Sequence, residues 1–433
     1  MTAPFSSPGA LNEAQPTGYS APAARSKPHE RLTVLQVVPR LDSGGVERGT
    51  LEITEAIAAE GGRALIATAG GQLSFRIARA GGEIIPMRVD AKNPATIWQN
   101  ALLMRRLIRE EGVDIVHARS RAPAWSSYWA TRRSSTGFIT TYHGSYSEDF
   151  PLKRFYNSVM ARGRPVIAVS DYIRRLIIQR HHVPEQFIRT IPRGADISVF
   201  SDEAVSNERT IKLAEQWGLV EDPRAIVLMP GRLTRWKGAE SMIDAAARLK
   251  AMRGPDFAVL LVGDDGGSGF AEVLRKRIQA AGAGDVVIMT GDCQDMAAAY
   301  KLSSVVVSAS IEPEAFGRVV VEAQAMGRPV IATAHGGARE TVAHGESGWL
   351  YPPNDDEILA ATINQALNMG PSARAHMGLA GRARVHSRYS TAAMQRATLD
   401  VYEEVAGRTF RELIRPAATG AGSELSAAPR SAA

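Results

Sequence analysis

The stretch Ser308–Gly327, SASIEPEAFGRVVVEAQAMG, decides how the rest of the chain is read. A Val-rich run, Ser304–Ala309, enters it with the pattern of a buried parallel strand, and Arg318–Met326 leaves it with the pattern of a helix. Glu314, Ala315, Phe316 and Gly317 lie between, so the connection is a strand-to-helix turn. Such a turn presents the free N–H groups of the helix start, and a glycine there puts no side chain between backbone and ligand. Phosphate suits it. Glu322 follows Glu314 after seven residues, a separation on the order of 12 Å if the gap is helical. A pair of carboxylates cleaving one glycosidic bond straddles it at roughly 5 to 9.5 Å. The two glutamates therefore predict two contacts along one extended ligand, such as a nucleoside diphosphate sugar. The competing reading is a plain strand and amphipathic helix with two solvated glutamates.

Outward from this unit, short apolar runs alternate with helical patterns. Thr33–Val38, Ala64–Thr68, Glu83–Met87, Asp114–His117, Phe138–Tyr142, Val166–Val169 and Phe187–Ile191 predict one parallel sheet. Ile226–Met229, Ala258–Val262, Val286–Met289, Val305–Ser308 and Val330–Ala332 predict a second. The fold class is α/β, with two facing Rossmann-like sheets. Ligands of such sheets bind beyond the carboxyl ends of the strands, which places the site in the cleft between them. The predicted organisation is an N-terminal arm 1–30, a first domain 31–200, a second domain 201–388, a helical region 389–416 and a tail 417–433. Ala, Pro, Ser and Gly dominate the arm and tail, which are expected to be disordered. With 433 residues, 45% of them hydrophobic, there is material for two cores. The single cysteine, Cys293, leaves no internal disulfide and no multi-cysteine metal site. No run approaches the roughly 18 apolar residues of a membrane span, so a soluble cytoplasmic protein is expected.

The strand-end loops carry the remaining candidates. Gly44 and Gly45 lie between the first strand and first helix, where paired glycines allow close approach to phosphate or sugar, or simply make a tight turn. They are not a GxGxxG fingerprint, which argues against a dinucleotide enzyme. His117 and His143 both end strands, and His143, before Gly144, is the better candidate for a site; His117 suits packing or an acceptor-side role. Arg232 and Lys237 follow the first strand of the second domain, where a planar guanidinium and a flexible ammonium can meet one diphosphate. No HExxH or similar spacing occurs, so no essential metal is expected.

At these residues the chain resembles the retaining glycosyltransferases of family four, which have the GT-B fold, among them bacterial lipopolysaccharide and polysaccharide enzymes. The Glu, seven residues, Glu signature is Glu314 and Glu322, and Met229-Pro-Gly-Arg-Leu-Thr-Arg-Trp-Lys-Gly238 matches the GRL, spacer, KG motif. The resemblance spans Thr33 to about Ala406. It implies that Glu314 contacts hydroxyls of the donor sugar, that Glu322 binds the ribose, and that the turn through Phe316, Gly317 and Arg318 faces the diphosphate. It also implies that Arg232 and Lys237 stabilise the departing nucleotide, that Gly44 and Gly45 face diphosphate and acceptor, and that His143 lies near the reacting sugar. Gly336, Gly337 and Glu340 match a turn that shapes the cleft wall, and Tyr389–Ala406 a helix that crosses back onto the first domain. Two positions depart from the family pattern. Arg318 stands where an apolar or small residue is common, and Arg193, in the linker Pro192–Phe200, stands where an NGVD-type segment has Asn.

Residues 31–200 hold roughly 24 basic and 15 acidic side chains against a net charge of +6 for the whole chain, so the basic half is the half expected to bind the acceptor. Lys153, Arg154, Arg162 and Arg164 flank Phe155, Tyr156, Val159 and Met160, the pattern of a basic amphipathic helix on anionic lipid or of a solvated helix with one core face. Nucleic acid is disfavoured because no binding module accompanies the charge. The expected function is transfer, with retention, of a sugar from a nucleotide diphosphate donor to a glycan or lipid-linked acceptor in envelope polysaccharide or lipopolysaccharide synthesis, at the inner face of the membrane. A nucleotide-sugar epimerase of similar fold and a non-catalytic sugar-nucleotide-binding subunit are the alternatives.

Overall fold

Thirteen parallel strands form two sheets in the computed structural model, which describes residues 31–42 and 44–410. The predicted arm 1–30, the tail 417–433 and the end of the region 389–416 lie outside the described residues. The first sheet contains β1 Thr33–Val37, β2 Arg63–Thr68, β3 Gly82–Pro86, β4 Ile115–Ala118, β5 Gly137–Tyr142, β6 Val166–Ala168 and β7 Ile188–Thr190, in the order β3-β2-β1-β4-β5-β6-β7. The second contains β8 Ala225–Pro230, β9 Phe257–Val262, β10 Val287–Gly291, β11 Val305–Ser308, β12 Val330–Thr333 and β13 Gly348–Tyr351, in the order β10-β9-β8-β11-β12-β13. β1 and β9 are buried along their whole length, as parallel strands covered by helices on both faces must be. β13, GWLY, is the strand that apolar periodicity did not pick out, since it is short and starts on a glycine.

Each sheet reverses its strand order once, between β1 and β4 in the first and between β8 and β11 in the second. At such a reversal the loops leaving the two strands diverge and open a crevice. The loops so placed are Gly44–Gly45 after β1, and the segments leading from β8 to Lys237 and from β11 to Glu314. Topology alone thus brings the loops of Gly44, Gly45, Arg232, Lys237 and Glu314 to the two crevices.

The domains are joined by two segments that pair with each other. Ala195 donates to Tyr389 O at 2.8 Å and accepts from Thr391 N at 2.9 Å. The helix Thr391–Ala406, capped by Ser390 Oγ at Ala393 N, then inserts Met394, Leu399, Val401 and Tyr402 among Leu32, Val34, Ile115 and Ile139 of the first domain. Tyr402 Oη lies 2.6 Å from His117 Nδ1, and His117 Nε2 lies 2.6 Å from Thr141 Oγ1, so His117 is a packing residue.

The basic amphipathic helix expected through Arg164 is shorter than its sequence suggests. Helix Pro151–Asn157 carries Lys153 and Arg154, whereas Val159 and Met160 sit buried in the 3-10 turn that follows. Arg162 stacks on Trp125 and Tyr128, and Arg164 on Phe187, so neither shares that helix face. The rings of Trp98, Trp129, Trp125 and Phe155 succeed one another at 5.7, 5.4 and 5.2 Å and link helix Pro94–Glu110 to helix Pro151–Asn157. Trp98, Leu102 and Leu103 on the first of these helices and Leu152 and Phe155 on the second are exposed. No helix among the described residues is long and apolar enough to cross a membrane.

Candidate active site

The wall formed by the second domain is assembled from two loops stitched together. After β8 the chain makes a 3-10 turn at Arg235–Lys237, and Trp236 O accepts from Ile311 N of the β11 loop at 2.8 Å. Lys237 Nζ then reaches Glu314 Oε1 at 2.7 Å, and Ser310 Oγ donates to the same oxygen. Burial alone would raise the Glu314 carboxyl; the Lys237 ammonium and the Ser310 hydroxyl outweigh it and hold the group below its ordinary pKa. Glu314 is therefore a carboxylate at neutral pH.

Its backbone is clamped from behind. Gly337 N donates to Glu314 O at 2.9 Å, and Gly336, at φ 57°, lies so close that a side chain there would collide with the Glu314 backbone. The predicted wall-shaping turn has this physical basis. Gly317, at φ 85°, adopts the left-handed conformation that only glycine takes without strain and caps helix Arg318–Ala325. The ring of Phe316 packs against Tyr389 at 5.7 Å, so this residue can offer a ligand its backbone and not its side chain. Arg232 is exposed in the cleft, and its charge acts on the carboxyl of Glu47 at the start of helix Gly45–Ala59.

The opposite wall meets this one directly. Ser145 Oγ, two residues beyond His143, donates to Pro313 O at 3.3 Å, and Ser170 Oγ donates to Ala315 O at 2.6 Å. Glu340 accepts from Asp171 N at 2.8 Å and Tyr172 N at 2.6 Å, so it caps a first-domain helix, Asp171–His181, from the second domain. The His143 loop and the Glu314 turn therefore face each other. Burial, with the charges of Arg193 and Arg119, lowers the His143 pKa well below the usual histidine value, so the ring is neutral at pH 7. Its Nε2 is buried and has no hydrogen-bond partner among the described residues.

Arg318 has carboxylate partners that the sequence did not reveal. Its guanidinium pairs with Glu52 at 3.1 Å and Glu322 at 3.5 Å. Glu322 also meets Arg48 at 3.4 Å and the Tyr300 hydroxyl at 3.2 Å. Arg193 Nη2 donates to Gly45 O at 2.6 Å and lies 3.7 Å from Glu52. The side chain of Arg193 occupies the space left by the missing side chain of Gly49, and burial, reinforced by the charge of Arg318, lowers its pKa to about 9. Sequence reading missed Glu52 and Arg48 and left Arg193 as an odd linker residue. The available signal was a charged residue, Glu52, between Leu51 and Ile53 on the buried side of an amphipathic helix.

Known proteins share this fold. Residues 43–199 match the family described as Glycosyltransferase Family 4 and residues 211–384 the family described as Glycosyl transferases group 1. A glycosyltransferase from Rickettsia africae has 36% sequence identity and a TM-score of 0.80, with 87% of this chain and 99% of that one covered. This chain belongs to the family-four glycosyltransferases. It is a glycosyltransferase of GT-B fold, with the two facing domains and the returning C-terminal helix. Among curated relatives, a GDP-mannose-dependent phosphatidylinositol monomannoside mannosyltransferase of Mycolicibacterium smegmatis is 28% identical to this glycosyltransferase over 291 residues, 64% of this chain and 73% of that one. The Anabaena protein HepE, crystallised with UDP-glucose, has the same fold at a TM-score of 0.75 and 23% identity, covering 86% of this chain and 100% of that one.

Proposed function

We propose that this glycosyltransferase moves a sugar, with its anomeric configuration retained, from a nucleoside diphosphate donor to a hydroxyl of a glycan or lipid-linked saccharide. The observation that carries the reading is the Lys237–Glu314 pair at the crevice of the second sheet, beside the Gly317 turn and opposite Gly44–Gly45. An ammonium and a carboxylate already in contact can divide between the two ends of one ligand. Lys237, with Arg232, takes the diphosphate, whose negative charge grows as the glycosidic bond breaks, and Glu314 accepts from hydroxyls of the transferred ring. Glu322 holds the ribose. His143, neutral, offers a hydrogen bond near the reacting carbon. The acceptor oxygen bonds to that carbon from the face the phosphate leaves, and the departing phosphate oxygen takes its proton, so no protein nucleophile forms a bond.

The cations in this scheme are side chains, and transfer is expected to survive EDTA; inactivation reversed by a divalent ion would overturn that part. The mannosyltransferase relative named for a phosphatidylinositol acceptor supports a lipid-linked substrate and a role in envelope glycan synthesis. So do the exposed apolar side chains of Trp98, Leu102, Leu103, Leu152 and Phe155, which suit peripheral contact with the inner face of an anionic membrane. Thermal-shift titration with UDP, GDP, ADP and CDP tests the donor assignment. A nucleotide at a hundred times its Kd adds about 2.7 kcal/mol to stability, and its identity names the base. Stabilisation by none of the four would overturn the donor assignment, and an epimerised donor without a glycoside product would indicate an epimerase.

A further inference from the structure

Three guanidiniums converge on Glu52, which is only 6% exposed. Arg48 comes from its own helix at 3.5 Å, Arg193 from the linker at 3.7 Å, and Arg318 from the turn of the other domain at 3.1 Å. Its backbone oxygen accepts from Gln395 Nε2 of the returning helix at 2.7 Å. Both segments that join the domains, and the turn assigned to the donor, therefore end on one first-domain residue.

The consequence lies in how Arg48 and Arg318 are shared. Each also contacts Glu322, at 3.4 and 3.5 Å. A carboxylate that is to accept from a ribose diol needs lone pairs not committed to guanidinium, and Glu52 competes with Glu322 for the same two cations. Glu52 Oε2 and Arg318 Nη1 are both buried without a hydrogen-bond partner among the described residues, so the network is unsaturated and its bonds can redistribute. We propose that Glu52 is a positioning residue for the donor site: acting across the cleft, it draws Arg48 and Arg318 off Glu322 and so sets how well the second domain holds the nucleotide. This rests on the assignment of Glu322 to the ribose.

The experiment compares the wild-type enzyme with Glu52→Gln, Glu52→Asp and the double variant Glu52→Gln/Arg318→Met. Affinity for whichever of UDP, GDP, ADP and CDP stabilises the wild type is measured, together with donor KM, acceptor KM and kcat. Glu52→Gln keeps the shape and loses the charge, so both guanidiniums fall back on Glu322; nucleotide affinity and donor KM are expected to worsen by about tenfold, with acceptor KM and kcat near wild type. The double variant frees Glu322 from one cation and is expected to regain most of that affinity, because the two sites are coupled. Wild-type affinity in Glu52→Gln, or a double variant weaker than Glu52→Gln, would overturn the inference. A fall in melting temperature with unchanged kinetics would also overturn it, since that is what a purely structural ion pair predicts. If Glu52→Gln does not fold, Glu52→Asp, which keeps the charge at longer reach, is expected to weaken nucleotide binding by about threefold, and no change would sink the proposal. A wild-type enzyme that binds none of the four nucleotides is a different failure: it removes the donor assignment itself.

Discussion

The two walls of the cleft are built by different rules. In the second domain the polar groups that meet, Lys237, Ser310 and Glu314, come from two loops that leave neighbouring strands, and each loop announces itself by local pattern: a strand, glycine, a charged residue, a helix. In the first domain Glu52, Arg119 and Arg193 come from three separate segments and are buried, Arg193 beside Glu52 and Arg119 on Gln36. Half-buried charge at the crevice, as in the Lys237–Glu314 pair, is expected to act on chemistry when removed. Buried, mutually compensated charge is expected to act on affinity and on pH stability. Mutation of one wall and then the other tests whether that division holds.

The largest effect is expected from Lys237→Ala. In the proposed scheme the ammonium meets charge that grows in the transition state, so its loss is expected to act on kcat more than on donor KM. A contact to a charged group is worth about 1.5 to 3 kcal/mol, and the rate should fall by roughly ten- to a hundredfold or somewhat more. The substitution also strips Glu314 of the cation that holds its carboxyl low, and its pKa should rise. Retention of wild-type turnover by a folded Lys237→Ala enzyme would mean that the two walls do not divide the work this way.

Glu322→Ala comes next and should act on donor KM, by roughly tenfold or more, because the ribose is unchanged during transfer. Arg48 and Arg318 lose a carboxylate at the same time, so a lower melting temperature should accompany the change. A fall confined to kcat would move Glu322 from the ribose to the reacting end.

This contrast also explains what was legible in the sequence. Parallel strands buried on both faces read as continuous apolar runs, so all strands but β13 showed themselves, and strand order then fixed which loops open into the crevice. Lys237 and Glu314 were visible because glycines and strand ends bracket them. Glu52 and Arg193 were not, because a buried ion pair between residues 141 positions apart leaves no periodic trace. The ion pair of Arg318 was hidden for the same reason: the sequence shows a cation at a helix start and not the Glu52 that the other domain brings to it. Phe316 read as part of a ligand turn, and its burial depends on Tyr389, far along the chain.

A smaller effect is expected from pH. His117 and His143 are both lowered well below the usual histidine value, chiefly by burial. Below about pH 6.5 the unfolded chain takes up protons that the fold excludes, so stability from these groups is full above that pH and declines as the pH falls. Glu314, lowered as well, acts in the same direction further into acid. Melting temperature should therefore be flat from about pH 7 to 8 and drop below about pH 6, with His143→Ala flattening the drop. Activity that changes through a midpoint near pH 6.5 would show that His143 titrates as an exposed ring does.

The smallest effect concerns the outer face of the first domain, where neither wall reaches. Leu152 is 71% exposed and Phe155 57%, on a helix that also carries Lys153 and Arg154. Both cations have partners, Lys153 with Asp149 at 2.7 Å and Arg154 with Glu148 at 4.0 Å and the backbone of Arg180, so their net pull on an anionic surface is blunted. A free basic residue near such a surface contributes about 1 kcal/mol, and a partly inserted apolar side chain a similar amount out of the roughly 1.5 to 3 kcal/mol of full burial. Leu152→Ala or Phe155→Ala should thus weaken sedimentation with anionic vesicles by only about fivefold, while leaving turnover of a soluble acceptor unchanged. Salt should release the wild-type enzyme, because exposed charges are screened within about 8 Å at physiological ionic strength. If both substitutions leave binding intact, or if neutral vesicles bind as well as anionic ones, this helix is a solvated face, and the first domain meets its acceptor only inside the cleft.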